Sequence, residues 1–248
     1  MYDGKKIIIV FPAYNAESTL EKTIKDIPKE YVDEMILVDD NSTDNTYSLS
    51  KKLGLTTIKH KKNKGYGANQ KTCYKEALKR GADVVIMIHP DYQYDPRILN
   101  KMFIPIVQGK ADAVFASRFL NKKDPIKGGM PYYKYFGNRV LTFFENIFLN
   151  TSLSEFHTGY RSYSRKLLTS IPLDKNSDNF VFDTQIIIQT VIKKYKIKEV
   201  PVETRYFPEA SSIKLKASLV YGLSIIKEIF KYLLTKFRIK KFKEYDLF

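Results

Sequence analysis

Along its first 118 residues the chain alternates short apolar runs with stretches whose apolar residues recur every three or four positions. KKIIIVF (5–11), EMILV (34–38), ADVVIMI (82–88) and ADAVFAS (111–117) read as short buried strands, with LTTIKH (55–60) a weaker one. Between them, AESTLEKTIKDI (16–27) carries Leu20, Ile24 and Ile27 on one helical face, and further helices are predicted over about 45–53 and 68–80. Another starts at Pro96, with Asp95 as its N-cap. Strands alternating with helices predict an α/β fold with a mostly parallel sheet covered on both faces. Ligands of such sheets bind at the carboxyl ends of the strands. PAYN, DDNS and HPDYQ follow the first, second and fourth runs, so all three are expected to line one crevice.

Beyond residue 118 the pattern loosens. Gly128 and Gly129 precede an aromatic helix around PYYKYFGNRVLTFFENIF; then come TGYRSYSR, a helix over about 183–194 and the strand IKEVPVETRYF. No internal repeat or low-complexity linker interrupts the chain. It reads as a main body, 1–212, divided into 1–118 and 119–212, followed by a basic helical tail, 213–248.

At 248 residues, 44% hydrophobic and 14% aromatic, the chain has the length and composition of a folded domain. Its single cysteine, Cys73, excludes an internal disulfide and any Cys-rich zinc site, and cytoplasmic chemistry fits best. The opening MYDGKKIIIVFPAYN has too short an apolar run for a signal peptide, and no stretch reaches the roughly 18–20 apolar residues of a spanning helix. A soluble or peripheral protein is expected. The net charge of +15 calls for an anionic partner: nucleic acid, a phosphorylated substrate or a membrane surface. Nucleic acid ranks last, because the basic residues are scattered and no recognisable binding module is present.

Four polar side chains, His89, Asp91, Gln93 and Asp95, crowd the end of the run Val84–Ile88, where burial would be costly. Capping accounts for Asp95 but not for Asp91 and Gln93. The turn after the first strand, FPAYNAE, lacks the glycines of dinucleotide and P-loop sites. DDNSTDNT lacks the glycine and the terminal glutamate of a calcium loop, and as a plain helix-entry loop it offers Ser42, Thr43 or Asp44 as cap.

Taken in order, VFPAYNAESTLEKTI, ILVDDNSTDNT, NKGYGANQKTCYKEAL and HPDYQYDP resemble the nucleotide-sugar half of family 2 glycosyltransferases of the GT-A fold, near the polyprenyl-phosphate sugar synthase group. The resemblance is strong over about 5–118 and continues more weakly through FASRF, TGYRSYSR, FDTQ and EVPVETRY to about 216. It implies an inverting transferase that uses a nucleotide-diphosphate sugar donor. Pro12, Ala13, Tyr14 and Glu17 would hold base and ribose, and Asp39 or Asp40 would accept a hydrogen bond from the base. Gly65 and Gly67 would let the backbone approach the nucleotide. Lys64 either adds charge there or is a solvated loop lysine. HPDYQ takes the place of the family's Asp-x-Asp type motif, whose Mg2+ or Mn2+ bridges the donor phosphates. Asp91 and Gln93 match its ligands. His89 stands where the family has its first aspartate, and a neutral imidazole there lowers the site's negative charge and suits a hydrogen bond to phosphate or sugar in place of metal ligation.

For the acceptor, the resemblance assigns Asp183 in NFVFDTQ as a catalytic base for a hydroxyl; the same position suits a first-turn helix acid. A phosphate acceptor would need cations rather than a base, and Arg118, Arg161, Arg165 and Arg205 are available, with Ser212 and Lys214 beyond. Arg118 and Arg205 match arginines of the family. The acceptor is thus expected to be a polyprenyl phosphate or, alternatively, a glycan hydroxyl.

From 213 to 248 nine Lys and Arg stand against three acids, and Leu219, Leu223, Ile226, Phe230, Leu233 and Phe237 form an apolar stripe. That stripe suits the protein's own core, a second subunit in a homo-oligomer, or the anionic inner face of a membrane.

Overall fold

The structure, a computed structural model, describes residues 1–120, 125–206 and 215–247. Seven strands form one sheet: β1 (Ile7–Ala13), β2 (Glu34–Asp39), β3 (Thr56–Lys59), β4 (Val84–Ile88), β5 (Ala113–Ser117), β6 (Tyr160–Ser164) and β7 (Ile197–Pro201). Their order is β3-β2-β1-β4-β6-β5-β7. All neighbouring pairs are parallel except those of β6, which runs antiparallel between β4 and β5. The residues TGYRSYSR, given no element from the sequence, supply this strand. Its polar composition hides it, since Arg161 and Ser162 are as buried as Tyr160 and Tyr163.

The α-helices among the described residues are α1 (Glu17–Lys25), α2 (Thr46–Lys52), α3 (Tyr66–Lys79), α4 (Leu99–Val107), α5 (Tyr132–Leu149), α6 (Arg165–Ser170), α7 (Phe182–Ile192) and α8 (Leu215–Lys236). Alternation along β1 shows how the sheet divides two cores. Ile8 and Val10 pack with Cys73, Tyr74 and Ala77 of α3 and Ile186 and Ile187 of α7, whereas Ile7, Ile9 and Phe11 pack with Leu20 and Ile24 of α1 and Met102 and Phe103 of α4. With both faces covered, the strand reads as a continuous apolar run, because each fully buried aliphatic contributes about 1.5–3 kcal/mol.

The helix of the basic C-terminal segment packs one of its faces on the core. Ile225, Ile229 and Tyr232 of α8 are buried, with Tyr245 following, while the opposite stripe of Leu219, Leu223, Ile226 and Phe230 is more than half exposed, as is Phe237 beyond the helix. Leu233 alone of the stripe packs against the core. The core therefore takes a different face of α8 from the stripe. Neighbouring α5 leaves Tyr132, Phe136, Phe143 and Ile147 bare in the same way.

Candidate functional site

A crevice of about 990 Å3 opens at the carboxyl ends of β1, β2 and β4. Pro12, Ala13, Tyr14, Asp40, His89, Asp91 and Gln93 line it, so the three polar clusters meet as their positions after the strands require. Opposite them stand Phe136, Val140 and Leu141 of α5 and Leu219, Leu223 and Ile226 of α8.

The loops after β1 and β2 are stitched together. Asn15 N donates to Ser42 Oγ (2.9 Å), Ala16 N to Thr46 Oγ1 (2.7 Å) and Thr43 N to Asn15 Oδ1 (2.9 Å). Glu17 accepts from Asn45 N and Nδ2 at 3.0 and 2.8 Å, which ties it to the start of α2; it is not among the residues lining the crevice. Asp39 is fully enclosed, with Oδ1 accepting from Ser42 and Oδ2 3.7 Å from Lys59 Nζ. Asp40 does line the crevice, and it organises the next loop by accepting from His60 Nδ1 (2.7 Å), Lys64 N and Gly65 N (both 2.9 Å). The Lys64 side chain is exposed and away from the lining.

Gly65 and Gly67 also have a packing role. A Cβ on Gly67 would meet Phe182 Cβ at 2.8 Å and the Asn179 carbonyl at 2.9 Å, with the Ser177 carbonyl closer still. On Gly65, at φ +97°, a Cβ would lie 2.7 Å from the Asp178 carbonyl. Their missing side chains dock the NKGYG loop onto residues 177–182, and Gly67 N donates to the Asp178 carbonyl (2.7 Å). Of the two, only Gly65 also lines the crevice.

After β4 the chain turns sharply. Tyr92 adopts φ +57°, strained for a bulky residue, and Asp91 Oδ1 accepts from Gln93 N (3.1 Å) across it. The Tyr92 hydroxyl donates to Asp26 Oδ2 (2.6 Å) and its ring carries the Arg205 guanidinium 4.6 Å from the centroid. Burial pushes the Asp91 carboxyl up and the His89 imidazole down from their ordinary values, each only partly offset by the other. No ion pair among the described residues reaches Asp91, so a half-buried carboxylate faces the crevice without a cation. That donor fits a divalent ion, with Gln93 beside it. The described residues contain no group of three or more His, Cys, Asp or Glu able to hold a metal, so such an ion would take most of its ligands from substrate phosphates and water.

Asp183, at the start of α7, joins this wall from across the chain. Its Oδ2 accepts from Tyr66 OH (2.8 Å) and its Oδ1 from Gln70 Nε2 (3.0 Å), with Arg161 Nη1 at 3.5 Å. Tyr66 OH also lies 3.0 Å from His89 Nε2, and the two rings stack. Neither Tyr66 nor Gln70 was singled out from the sequence, although both lie in the NKGYGANQ segment.

The four arginines separate. Arg161 is fully buried and bonds the carbonyls of Thr158 and Phe156 (both 2.8 Å). Arg165 bonds the Leu78 and Ala82 carbonyls at the opposite end of the sheet, so it takes no part in the crevice. Arg118 lines the crevice but is paired with buried Glu155 and donates to Tyr206 OH (2.7 Å). Arg205 sits behind Tyr92, outside the lining, with Nη1 buried and unbonded. Ser212 and Lys214 lie outside the described residues.

A mixed, mostly parallel sheet whose strand ends present polar loops to a crevice, with an inserted antiparallel strand and a helical second wall, defines the GT-A class of sugar transferase. The chain belongs to glycosyl transferase family 2, whose model matches residues 8–171. It is 27% identical over 244 residues to the UDP-N-acetylglucosamine–dolichyl-phosphate N-acetylglucosaminyltransferase of Methanococcus voltae, covering 90% of this chain and 96% of that one. It is also 30% identical over 201 residues to an uncharacterized Methanocaldococcus jannaschii protein, MJ1222, covering 81% of this chain and 82% of the relative. Among solved structures it is similar in fold to Mycobacterium tuberculosis glucosyl-3-phosphoglycerate synthase bound to Mn2+, uridine diphosphate and glucosyl-3-phosphoglycerate. The TM-score is 0.70 at 19% identity, over 94% of this chain and 80% of that one.

Proposed function

We propose that this protein transfers a sugar, with inversion, from a nucleoside diphosphate sugar to the phosphate of a membrane-bound polyprenyl lipid. The observation that carries this reading is one crevice with two unlike walls: Asp91, His89 and Asp40 on the strand-end side, and the bare apolar helices α5 and α8 on the other. The named relative that acts on dolichyl phosphate supports the choice of acceptor.

In the transfer, an acceptor phosphate oxygen bonds to the anomeric carbon as the bond to the nucleoside diphosphate breaks. Asp91 and Gln93 would hold Mg2+ or Mn2+, which neutralises charge on the departing diphosphate. Tyr14, half exposed at the rim, offers the base an apolar wall, with Pro12 and Ala13 beneath. Asp40 Oδ2 bears one hydrogen bond and retains a lone pair for the base. A phosphate acceptor is already an anion at neutral pH and needs no base. That suits Asp183, whose two oxygens are engaged by Tyr66, Gln70 and Arg161, better than a hydroxyl acceptor would.

Attachment to an anionic membrane follows from the same wall. Lys236, Arg238, Lys240 and Lys241, at and just beyond the end of α8, are exposed as the apolar residues of α5 and α8 are, and no helix among the described residues is long and apolar enough to cross a bilayer. An interfacial seat, cytoplasmic side, would let a lipid phosphate enter between the helices. The test is turnover with defined polyprenyl phosphates and glycan acceptors across a panel of nucleotide sugars, with and without Mg2+ or Mn2+. Transfer to lipid phosphate is expected, and no transfer to any lipid phosphate with any donor would overturn the reading.

A further inference from the structure

Tyr66 has one hydroxyl proton and two partners. Asp183, ion-paired with Arg161, can only accept, so the phenol proton points to Asp183 Oδ2 at 2.8 Å. The Tyr66 oxygen must then accept from His89 Nε2–H at 3.0 Å. This order of donors leaves the in-plane lone pair of a neutral His89 on Nδ1. Gly159 lies beside the Cδ2–Nε2 edge of the ring, where a Cβ would stand 2.7 Å from Nε2 and nearer still to Cδ2, so the backbone packs closely on the side that bonds Tyr66. None of the hydrogen bonds among the described residues reaches Nδ1. Pro90, between His89 and Asp91, has its carbonyl bonded by Thr19 Oγ1 (2.6 Å), which fixes the turn that brings both side chains to the crevice.

We propose that His89 Nδ1 is a ligand of the divalent ion beside Asp91, and that Tyr66 and Asp183 are positioning residues that hold its tautomer. The inference rests on the metal-dependent transfer proposed above. A ring nitrogen held by a phenol and a carboxylate behind it is the arrangement in which outer partners orient a ligating histidine. Replacing one oxygen donor by nitrogen moves a site away from Mg2+ and toward first-row transition ions. The expected consequence is selection of Mn2+ over Mg2+.

Pulsed electron paramagnetic resonance of Mn2+ with uridine diphosphate tests this on the full chain, with calorimetry of Mn2+ and Mg2+ alongside. The chain has three histidines; both ring nitrogens of His60 are engaged, by Asp40 and Thr72, and those of His157 face Tyr221 at Nδ1 and Glu145 at Nε2. Wild type should show a nitrogen coupling to bound Mn2+. His89→Asp should keep the ion, lose the coupling and lower the Mn2+ over Mg2+ preference by about tenfold, with thermal unfolding used to confirm that it folds. Tyr66→Phe should keep the coupling and weaken Mn2+ by about tenfold, the scale for an outer partner of a metal ligand. Mn2+ bound without nitrogen coupling, and unaltered by His89→Ala, would overturn the inference while leaving metal-dependent transfer standing. A wild type that binds no Mn2+ with uridine diphosphate would overturn both.

Discussion

On the strand-end wall, Asp40 holds His60, Lys64 and Gly65, and Asp183 holds Tyr66 and Gln70; on the facing wall, Phe136, Leu219 and Leu223 hold nothing and stand in solvent. The first wall is preorganised by hydrogen bonds within the chain, so a charged, hydrated ligand meets donors and acceptors already in place. The second has no such order and offers apolar area only. A bare apolar wall of this extent marks a surface that is covered in use. One crevice thus has a polar end and an apolar end, which the proposed function gives to the nucleoside diphosphate and to the lipid.

Separating the two walls by substitution is the strongest test of that contrast. Asp91→Ala should abolish metal-dependent strengthening of uridine diphosphate binding and lower turnover by about 10³-fold or more, on the scale of losing a principal electrostatic contact. Phe136→Ser with Leu223→Ser should leave nucleotide binding intact and slow transfer to long-chain lipid phosphate, while a short water-soluble analogue is used as before. Titration calorimetry and initial rates measure both. If the two sets of variants lose the same function, the walls are not separate.

Asp183→Asn probes the junction. It leaves the buried Arg161 unpaired and should cost about 3 kcal/mol or more in urea unfolding. With a phosphate acceptor, the folded enzyme should retain substantial turnover at saturating Mn2+; a fall of about 10²-fold or more in kcat under those conditions would instead assign Asp183 as base to a hydroxyl. Gly67→Ala should cost about 1–3 kcal/mol, because the new Cβ strikes backbone at Ser177 and Asn179 and pries the NKGYG loop from α7.

On the apolar wall, replacing Lys236, Arg238, Lys240 and Lys241 by Gln should weaken sedimentation with anionic liposomes, by up to about 1 kcal/mol for each charge, and added salt should do the same. Wild type left in the supernatant at low salt would make this wall an interface between copies of the chain. The smallest expected effect concerns pH. Burial pushes Glu155 up, but Arg118 outweighs it and holds the carboxyl below its ordinary value of 4.5. A depressed carboxyl stabilises above its unfolded pKa and loses that contribution as pH falls through the folded one. The stability gap between wild type and Glu155→Gln should therefore be full near neutrality and narrow below about pH 4.5, as read by denaturant unfolding at each pH.

Much of the polar wall is legible in the amino-acid sequence. The alternating runs at 5–11, 34–38 and 82–88 form β1, β2 and β4, and the polar clusters after them meet in one crevice, since parallel strands joined by helices bring their carboxyl ends to the same edge. Asp95 caps the turn at Pro96 as its position predicts. These features depend on neighbours a few residues away, and periodicity records them.

Contacts between distant residues leave no such trace. Asp183 and Tyr66 are 117 positions apart, and nothing in FDTQ or NKGYG says that one hydroxyl joins them through to His89. Gly67 resembles a nucleotide-facing glycine and proves to be a docking surface for residues 177–182. Arg161 and Arg165, alike in side chain and four positions apart, go to a buried ion pair and to the far end of the sheet. The stripe on α8 could have faced core, partner or solvent, and its exposure is decided by Ile225, Ile229 and Tyr232 taking the core-facing side. An amino-acid pattern states how much apolar surface an element carries and at what period. Which buried group meets which partner is settled only when the sheet closes, because each hydrogen bond there depends on the packing of all the others.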